Sequence, residues 1–276
     1  MNTTSLTYCV YRCLYGEEFL RQSIESIAQY VDRIFIFFDT KPWGDVTSCV
    51  YKGEVVKFPE KFDNVVELGC ELAAKNPKIE IQFDHMYNNI GQFTHLVNDR
   101  ILPHHAKPDT LIVIEVDHIF RPDQIELALH EWSNLKNVQC ATTRQVELWR
   151  SFAYRVPERA YRAGAVFWNL SALDRLPETN RQADIKKGMV HLNAFVHNVG
   201  FACSEKAMYW KHMIALAMSQ KIGDSCPAES WYEEKWLKWS QETKNLEISK
   251  GYEHLIPSLV KYDTSELPLC LQRGHV

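Results

Sequence analysis

Glu115 and Asp117 have the residue types and the spacing that most directly suggest chemistry in this chain. They follow the aliphatic run 111–114, which is typical of a buried strand. Side chains at positions i and i+2 of a strand point to the same face, so the two carboxylates can converge on one spot. Like charges that close repel unless a cation lies between them, and a divalent ion with oxygen ligands is the natural partner. The alternative is that Asp117 caps the helix that begins near Arg121, while Glu115 forms a surface ion pair.

The elements that must position these carboxylates alternate between strands and helices along the first half of the chain. Apolar, β-prone runs predict strands at residues 6–14, 33–39, 78–83 and 110–117. Helical spacing predicts helices at residues 17–31, 62–76, 91–102 and 121–132, and a loop with Pro42 and Gly44 follows the second strand. This alternation predicts an α/β fold with an open, mainly parallel sheet and helices on both faces. Ligands of such sheets bind beyond the carboxyl ends of the strands, where we find Arg12, Asp39, Glu115 and Asp117.

The second half of the chain, residues 140–276, has a different texture, with short strands, aromatic residues and irregular loops. We predict an irregular α+β arrangement there. No internal repeat, low-complexity tract or flexible linker separates this half from residues 1–139. The simplest interpretation is one continuous domain, residues 1–276, in which the second half roofs the first.

Composition and charge exclude several classes of protein. With 46% apolar and 24% charged residues the chain has the composition of an ordinary globular protein, and its net charge of -4 implies no general attraction to nucleic acid or anionic lipid. No apolar stretch approaches the roughly 20 residues that span a bilayer, and the N-terminus lacks the features of a signal peptide, so we expect a cytoplasmic protein. The eight cysteines form no C-x-x-C pair, which favours reduced thiols over disulfides or a zinc site.

The segment 88–129 resembles the nucleotide-sugar-binding half of GT-A glycosyltransferases, family 2-like members in particular. The shared features, in chain order, are an N-x-G turn, a helix with an Asn, a hydrophobic strand, a D-x-D-like motif and a Pro-Asp, which stand here at Asn89 and Gly91, Asn98, residues 110–114, Glu115-Val116-Asp117, and Pro122-Asp123. The resemblance covers residues 6–130. It implies a GT-A-like, Rossmann-like fold in which residues 1–139 bind the nucleotide sugar and residues 140–276 face the acceptor. The chain departs from the family at Glu115, where Asp is commoner, and at Val97, where many members have Arg.

The resemblance also implies a metal ion and the residues around it. Family members often bring a His from a late H-x-x-G motif to the ion, and this chain has such a motif at residues 197–200, with His191 as the main competitor. The expected metal is Mn²⁺ or Mg²⁺, held by Glu115, Asp117 and His197, and neutral imidazole suits Mn²⁺. The residues expected to bind the nucleotide-diphosphate sugar are Tyr11, Arg12, Asp39, Asn89, Gln92, Asn98 and Lys211. The alternative gives His197 a structural role and places Lys206 and Lys211 on a solvated helix face.

The reaction that follows is transfer of a sugar from a UDP- or GDP-sugar to a hydroxyl acceptor such as a glycan, with the metal stabilising the departing diphosphate. An inverting transfer needs a carboxylate that takes the proton of the acceptor. We predict Glu147 for this role, although spacing does not separate it from Glu229, Glu233 and Glu234. Two alternatives stay open. A nucleotidyltransferase usually has a Gly-rich basic loop after the first strand, where this chain has only Gly16, and a non-catalytic sugar-nucleotide-binding relative is indicated by Glu115 in place of Asp.

Overall fold

The computed structural model describes residues 5–84, 95–156, 164–176, 189–223, 229–240, 245–246, 256–257 and 260–272. Its strands are β1 (Thr7–Cys13), β2 (Arg33–Asp39), β3 (Ser48–Tyr51), β4 (Glu54–Lys57), β5 (Ile79–Asp84), β6 (Thr110–Glu115), β7 (His118–Ile119), β8 (Cys140–Trp149), β9 (Ser151–Arg155), β10 (Val166–Asn169), β11 (Met189–Phe201), β12 (Asn245–Leu246), β13 (Ile256–Pro257) and β14 (Val260–Lys261). Its α-helices are α1 (Leu20–Ile27), α2 (Val65–Lys75), α3 (Pro122–Asn134), α4 (Glu205–Ile222) and α5 (Leu269–Gln272). Short helical segments of 3-10 or π type lie at Ala28–Tyr30, Trp43–Asp45, Val97–Ile101, Tyr232–Leu237 and Thr264–Glu266.

The largest sheet has the strand order β14-β9-β8-β10-β6-β1-β2-β5. The strands β6, β1, β2 and β5 run parallel to one another. Strand β10 lies antiparallel between β6 and β8, and β11 joins the sheet parallel to β8 and antiparallel to β7. The second half of the chain therefore extends the sheet that the first half begins. The predicted α/β class with a mainly parallel open sheet is confirmed.

Both faces of the parallel strands are buried, because alternate side chains of each strand enter different hydrophobic clusters. Tyr11 and Ile36 belong to the cluster that includes residues of α1, α2 and α3. Val10 and Phe35 belong to the opposite cluster, which includes the helical segment Val97–Ile101. Helices thus lie on both faces of the sheet, as the alternation of strands and helices predicts.

A β-hairpin follows the predicted loop that contains Pro42 and Gly44, and the sequence did not predict it. Strands β3 and β4 pair antiparallel through a two-residue turn. Both turn residues have positive φ, 53° at Lys52 and 78° at Gly53, which is the backbone that matches the right-handed twist of a hairpin. Cys49 and Tyr51 of the hairpin pack in one hydrophobic cluster with Met213 of α4.

Helix α4 begins and ends with the side chains that its termini require. The Ser204 hydroxyl accepts a hydrogen bond from the Ala207 amide at 3.2 Å, and Gly223 terminates the helix with a φ of 70°. The fixed start of α4 also helps to position Lys211, which lies on this helix. Within the described ranges, no helix combines the length and the apolar character that crossing a membrane requires. The cysteines in those ranges are free thiols.

Candidate metal centre

Three potential metal ligands meet where β6 ends and β7 begins. Glu115, Asp117 and His118 each offer one ligand atom, and these atoms lie within 4.8 Å of one another. The His118 side chain is 1% exposed and its Nε2 lies 3.6 Å from Glu115 Oε2, whereas the Glu115 side chain is 33% exposed. The cluster therefore has a buried imidazole at its base and a carboxylate that opens to solvent. His118 was not singled out from the sequence.

The turn that carries these ligands is fixed by the loop and helix that follow β1. The Ser23 hydroxyl of α1 donates a hydrogen bond to the His118 carbonyl oxygen at 2.6 Å. Gly16 has a φ of 136°, and a Cβ at that position would lie 2.5 Å from Val116 Cγ2. Only glycine permits both this backbone conformation and this close approach. The residue between the two carboxylates is thereby packed directly against the β1–α1 loop.

Asp117 is held by its backbone and keeps one carboxylate oxygen available. Its carbonyl oxygen accepts a hydrogen bond from the Val199 amide at 2.8 Å. A Cβ on Gly200 would lie 2.1 Å from Asp117 Oδ2. The absence of a side chain at position 200 therefore makes room for this oxygen. Asp117 Oδ1 is buried and has no hydrogen-bond partner among the described residues. A buried acceptor without a partner costs about 1–3 kcal/mol, and a bound cation would remove that cost.

Lys211 places a positive charge beside Asp117. Its Nζ lies 3.4 Å from Asp117 Oδ2 and 3.2 Å from the Gly200 carbonyl oxygen. The ammonium also lies 4.8 Å from the centre of the Phe201 ring. Burial by itself lowers the pKa of Lys211, but the negative charge of Asp117 and neighbouring groups outweighs burial and raises the pKa above its ordinary value. Lys211 is therefore a cation at neutral pH.

Asn198 contacts both the imidazole of His118 and the backbone of Gly200. Its Oδ1 accepts a hydrogen bond from the Gly200 amide at 2.8 Å, which orients the side-chain amide. Its Nδ2 then faces His118 Nε2 at 3.3 Å. Because an amide nitrogen only donates, His118 Nε2 must accept, so this nitrogen is unprotonated and a metal bound there would take the place of the Asn198 amide.

Glu147, the predicted general base, lies on the strand next to Asn198. In the sheet register Asn198 stands opposite His118 on β7 and opposite Glu147 on β8. Directly paired residues project to the same face, so the three side chains form a row across three strands. Glu147 is 5% exposed. The structure thus brings Glu147 to the face of the sheet that carries the cluster.

His197 lies on the other face of β11 and does not reach the carboxylates. Its Nε2 is hydrogen-bonded with the Tyr262 hydroxyl at 2.7 Å, and its ring contacts the rings of Phe195 and Tyr262. It is fully buried, and burial lowers its pKa to about 4. The predicted role of His197 as a metal ligand finds no support in this geometry, since strand alternation directs Asn198 to the cluster and His197 away from it. His191 lies near the start of β11, opposite Thr142.

Two residues predicted to bind the nucleotide sugar lie together at the carboxyl ends of β1 and β2. Arg12 stands opposite Glu115 in the parallel register, and its guanidinium lies 4.6 Å from the Trp43 ring centre. Trp43 Nε1 donates a hydrogen bond to Asp39 Oδ2 at 3.0 Å. A cavity of about 350 Å³ opens beside these side chains, and its lining includes Leu14, Asp39, Lys41, Lys61 and Val65.

Two other predicted sugar-nucleotide residues serve the fold in this structure. Tyr11 is fully buried, and its hydroxyl is hydrogen-bonded with the Ser23 hydroxyl at 3.2 Å. Asn98 exchanges two hydrogen bonds with the backbone of Leu176, at 2.9 and 2.8 Å. The predicted positions Asn89 and Gln92 lie outside the described residues.

The other acidic residues considered for catalysis are engaged elsewhere. Glu229 accepts a hydrogen bond from the Lys52 amide, and Glu233 is bonded to the Lys52 ammonium. Glu233 also accepts from the Tyr51 hydroxyl at 3.2 Å, and Glu234 accepts from the Ser230 hydroxyl at 3.0 Å. These contacts tie the segment around Glu233 to the β3–β4 hairpin.

No protein-family model and no curated protein matches the chain. Solved structures similar to it include a mannosyltransferase of Pyrobaculum calidifontis in complex with GDP-Man and Mn²⁺, at 7% identity over 83% of this chain and 68% of that chain, with a TM-score of 0.47. GalNAc-T7 with UDP, GalNAc and Mn²⁺ gives a TM-score of 0.47 at 10% identity over 70% of this chain and 43% of that chain. A 4-diphosphocytidyl-2C-methyl-D-erythritol synthase from Anaerococcus prevotii gives 0.44 at 9% identity, over 74% and 94% of the two chains. These similarities concern the course of the backbone, and at such identities they carry over no side chain, substrate or reaction.

Proposed function

We propose that this chain is a metal-dependent glycosyltransferase that uses a nucleotide-diphosphate sugar. The observation that carries the proposal is the cluster of Glu115, Asp117 and His118 at the carboxyl end of a central parallel strand, with Asp117 Oδ1 buried and without a partner among the described residues. Ligands of open α/β sheets bind at this edge. Two carboxylates and one imidazole suit Mn²⁺, because imidazole is a better ligand for Mn²⁺ than for Mg²⁺.

The residues around the cluster suit a diphosphate. A metal held by Glu115, Asp117 and His118 would supply Lewis-acid stabilisation of the departing nucleoside diphosphate. Lys211 adds a fixed positive charge beside Asp117, 3.4 Å from its Oδ2. Arg12 and Asp39 lie at the same edge of the sheet, beside the cavity described above. We assign the nucleoside to that cavity.

Glu147 is the carboxylate that we assign to the acceptor. Glu147 lies on β8, in the second half of the chain, in one row with Asn198 and His118. A general base must lie within hydrogen-bond reach of the acceptor hydroxyl, on the side of the sugar opposite the leaving diphosphate. This assignment makes the transfer inverting, and Glu147→Gln removes the base with little change in volume.

One contact favours glycosyl transfer over nucleotidyl transfer. The amides of Gly16 and Glu17, in the loop after β1, both donate to Asp63 Oδ2, at 2.7 and 3.0 Å. In Gly-rich phosphate-binding loops the backbone amides hold the phosphates of the nucleotide. Here a carboxylate of the protein already occupies that position.

The test is a panel of UDP- and GDP-sugars incubated with the protein and Mn²⁺, with release of the nucleoside diphosphate as the readout. We expect Mn²⁺-dependent hydrolysis of at least one sugar nucleotide, and loss of more than about 99% of it in Asp117→Ala, because a direct ligand contributes more than the 10- to 100-fold of an outer-shell partner. Asp123→Ala, an exposed carboxylate on α3, is the matched control. Full activity of Asp117→Ala would overturn the assignment. Turnover of nucleoside triphosphates with release of pyrophosphate would assign nucleotidyl transfer instead, and tight binding without turnover would assign a binding protein.

A further inference from the structure

Lys211 and the candidate metal site compete for the same carboxylate. The Lys211 ammonium lies 3.4 Å from Asp117 Oδ2, and the remaining oxygen, Oδ1, is the one without a hydrogen-bond partner in the described chain. A cation ligated by Oδ1 would share one carboxylate with the ammonium. Two positive charges on one carboxylate repel, and the repulsion is stronger in a partly buried site than in water.

The contacts of Lys211 hold the ammonium in this position. Its Nζ also donates to the Gly200 carbonyl oxygen at 3.2 Å and lies 4.8 Å from the Phe201 ring centre. Only Asp117 among these partners carries a charge. The Lys211 side chain is 30% exposed, against 17% for Asp117, so Lys211 is the more accessible member of the pair.

A diphosphate changes this balance of charge. Its oxygens bind a divalent cation and a Lys ammonium at the same time, since both are attracted to the same group of negative charges. Lys211 can then exchange Asp117 for a phosphate oxygen, and Asp117 is left to the metal. The metal and the nucleotide would each improve the binding of the other.

We propose that Lys211 is a positioning residue that couples the metal to the nucleoside diphosphate, keeping free Mn²⁺ weakly bound and releasing Asp117 when the diphosphate arrives. The proposal rests on the proposed function. It differs from a general phosphate-binding role because it assigns Lys211 an effect on Mn²⁺ in the absence of any nucleotide.

The experiment measures the dissociation constant of Mn²⁺ by electron paramagnetic resonance, alone and with saturating UDP or GDP, whichever binds the wild-type protein. In the wild type we expect the nucleotide to tighten Mn²⁺ binding on the order of tenfold or more. In Lys211→Met we expect Mn²⁺ alone to bind about five- to tenfold more tightly than in the wild type, and the gain from the nucleotide to fall to within about twofold. Lys211→Arg keeps the charge and should keep most of the coupling.

Lys206→Met is the matched control, since it removes the same charge from an exposed position on the same helix and should change neither constant. Lys211→Gln is a second neutral variant in case Lys211→Met does not fold, and thermal unfolding establishes the folded state of each. If Mn²⁺ binds the wild type but Lys211→Met and Lys211→Gln change neither constant, the coupling role is wrong while the metal site stands. If the wild type binds neither Mn²⁺ nor nucleotide, the proposed function itself fails.

Discussion

The two faces of the ladder between β7 and β11 carry a histidine each and use it in opposite ways. On one face, His118 lies beside Glu115 and Asp117 and accepts from Asn198. On the other, His197 is enclosed by Phe195 and Tyr262 and bonds to the Tyr262 hydroxyl. We call these the His118 face and the His197 face. Both rings are buried, so burial alone does not distinguish a candidate ligand from a structural histidine.

The difference comes from a single residue of offset along a strand. Neighbouring residues of β11 point to opposite faces, so Asn198 reaches the cluster and His197 cannot. The His118 face leaves a carboxylate oxygen of Asp117 buried without a partner among the described residues. On the His197 face, Ile119 and Val199 belong to the same hydrophobic cluster as Tyr262, the partner of His197. We infer that one face is arranged for a ligand and the other for stability.

The largest effect expected from this contrast is the pH dependence of stability on the His197 face. Burial lowers the pKa of His197 to about 4, below its ordinary value of 6.5. The unfolded chain therefore takes up a proton between pH 6.5 and 4 that the folded protein excludes, so the stabilisation is complete above pH 6.5 and is lost as the pH falls toward 4. The loss amounts to about 3 kcal/mol. Urea unfolding of the wild type and of His197→Phe measures it as the difference between the two pH profiles. Parallel profiles would show that His197 is not held neutral by the fold.

Exchanging the two histidines for glutamine tests which face binds metal. His118→Gln should weaken Mn²⁺ binding about 100-fold or slightly more, because it removes a direct ligand and outer-shell losses alone reach 10- to 100-fold. His197→Gln should leave Mn²⁺ affinity within about twofold and lower the free energy of unfolding, since it disturbs a packed ring. Titration of Mn²⁺ and urea unfolding of both variants give the comparison. The reverse pattern would restore His197 as the ligand.

The smallest effect concerns the glycine on the His118 face. In Gly200→Ala the new Cβ would lie 2.1 Å from Asp117 Oδ2 and 2.6 Å from Lys211 Nζ. Both are ends of flexible side chains, so they can move without a change in the backbone. We expect Mn²⁺ to bind about fivefold more weakly, as for a disturbed outer-shell partner, with the free energy of unfolding changed by less than about 1 kcal/mol. Gly53→Ala, at a position with no neighbour within 4 Å, is the control for Mn²⁺ affinity alone, because its φ of 78° makes that substitution destabilising in its own right. An unchanged Mn²⁺ affinity would mean that the position of Asp117 does not depend on this turn.

The parallel part of the fold could be predicted from the sequence because its strands are continuous apolar runs. The predicted strand 33–39 is β2, Arg33–Asp39, to the residue. The β3–β4 hairpin was missed because its strands have four residues each and β4 is mostly exposed, so neither forms a long apolar run. The Lys52-Gly53 turn was the one local signal of that hairpin.

The candidate site could be predicted only where its geometry is local. Glu115 and Asp117 follow from the side-chain alternation of one strand. His118 is buried and joins them only because the chain turns between β6 and β7, which strand periodicity does not show. The choice between His197 and Asn198 depends on how β11 pairs with β7, across a sequence separation of 80 residues. A one-residue difference in that register is invisible in a single sequence, and it decides which side chain faces the cluster.

Because β7 pairs with β11, the candidate centre is built from residues of both halves of the chain. Its ligands come from residues 115–118, while the groups that orient them, Asn198, Gly200 and Lys211, come from the second half. An ion bound there would bind the folded arrangement and not the unfolded chain, so it would shift the folding equilibrium by mass action, by about 2.7 kcal/mol at a concentration 100 times its dissociation constant. Metal added during refolding should therefore favour correct docking of the second half on the first.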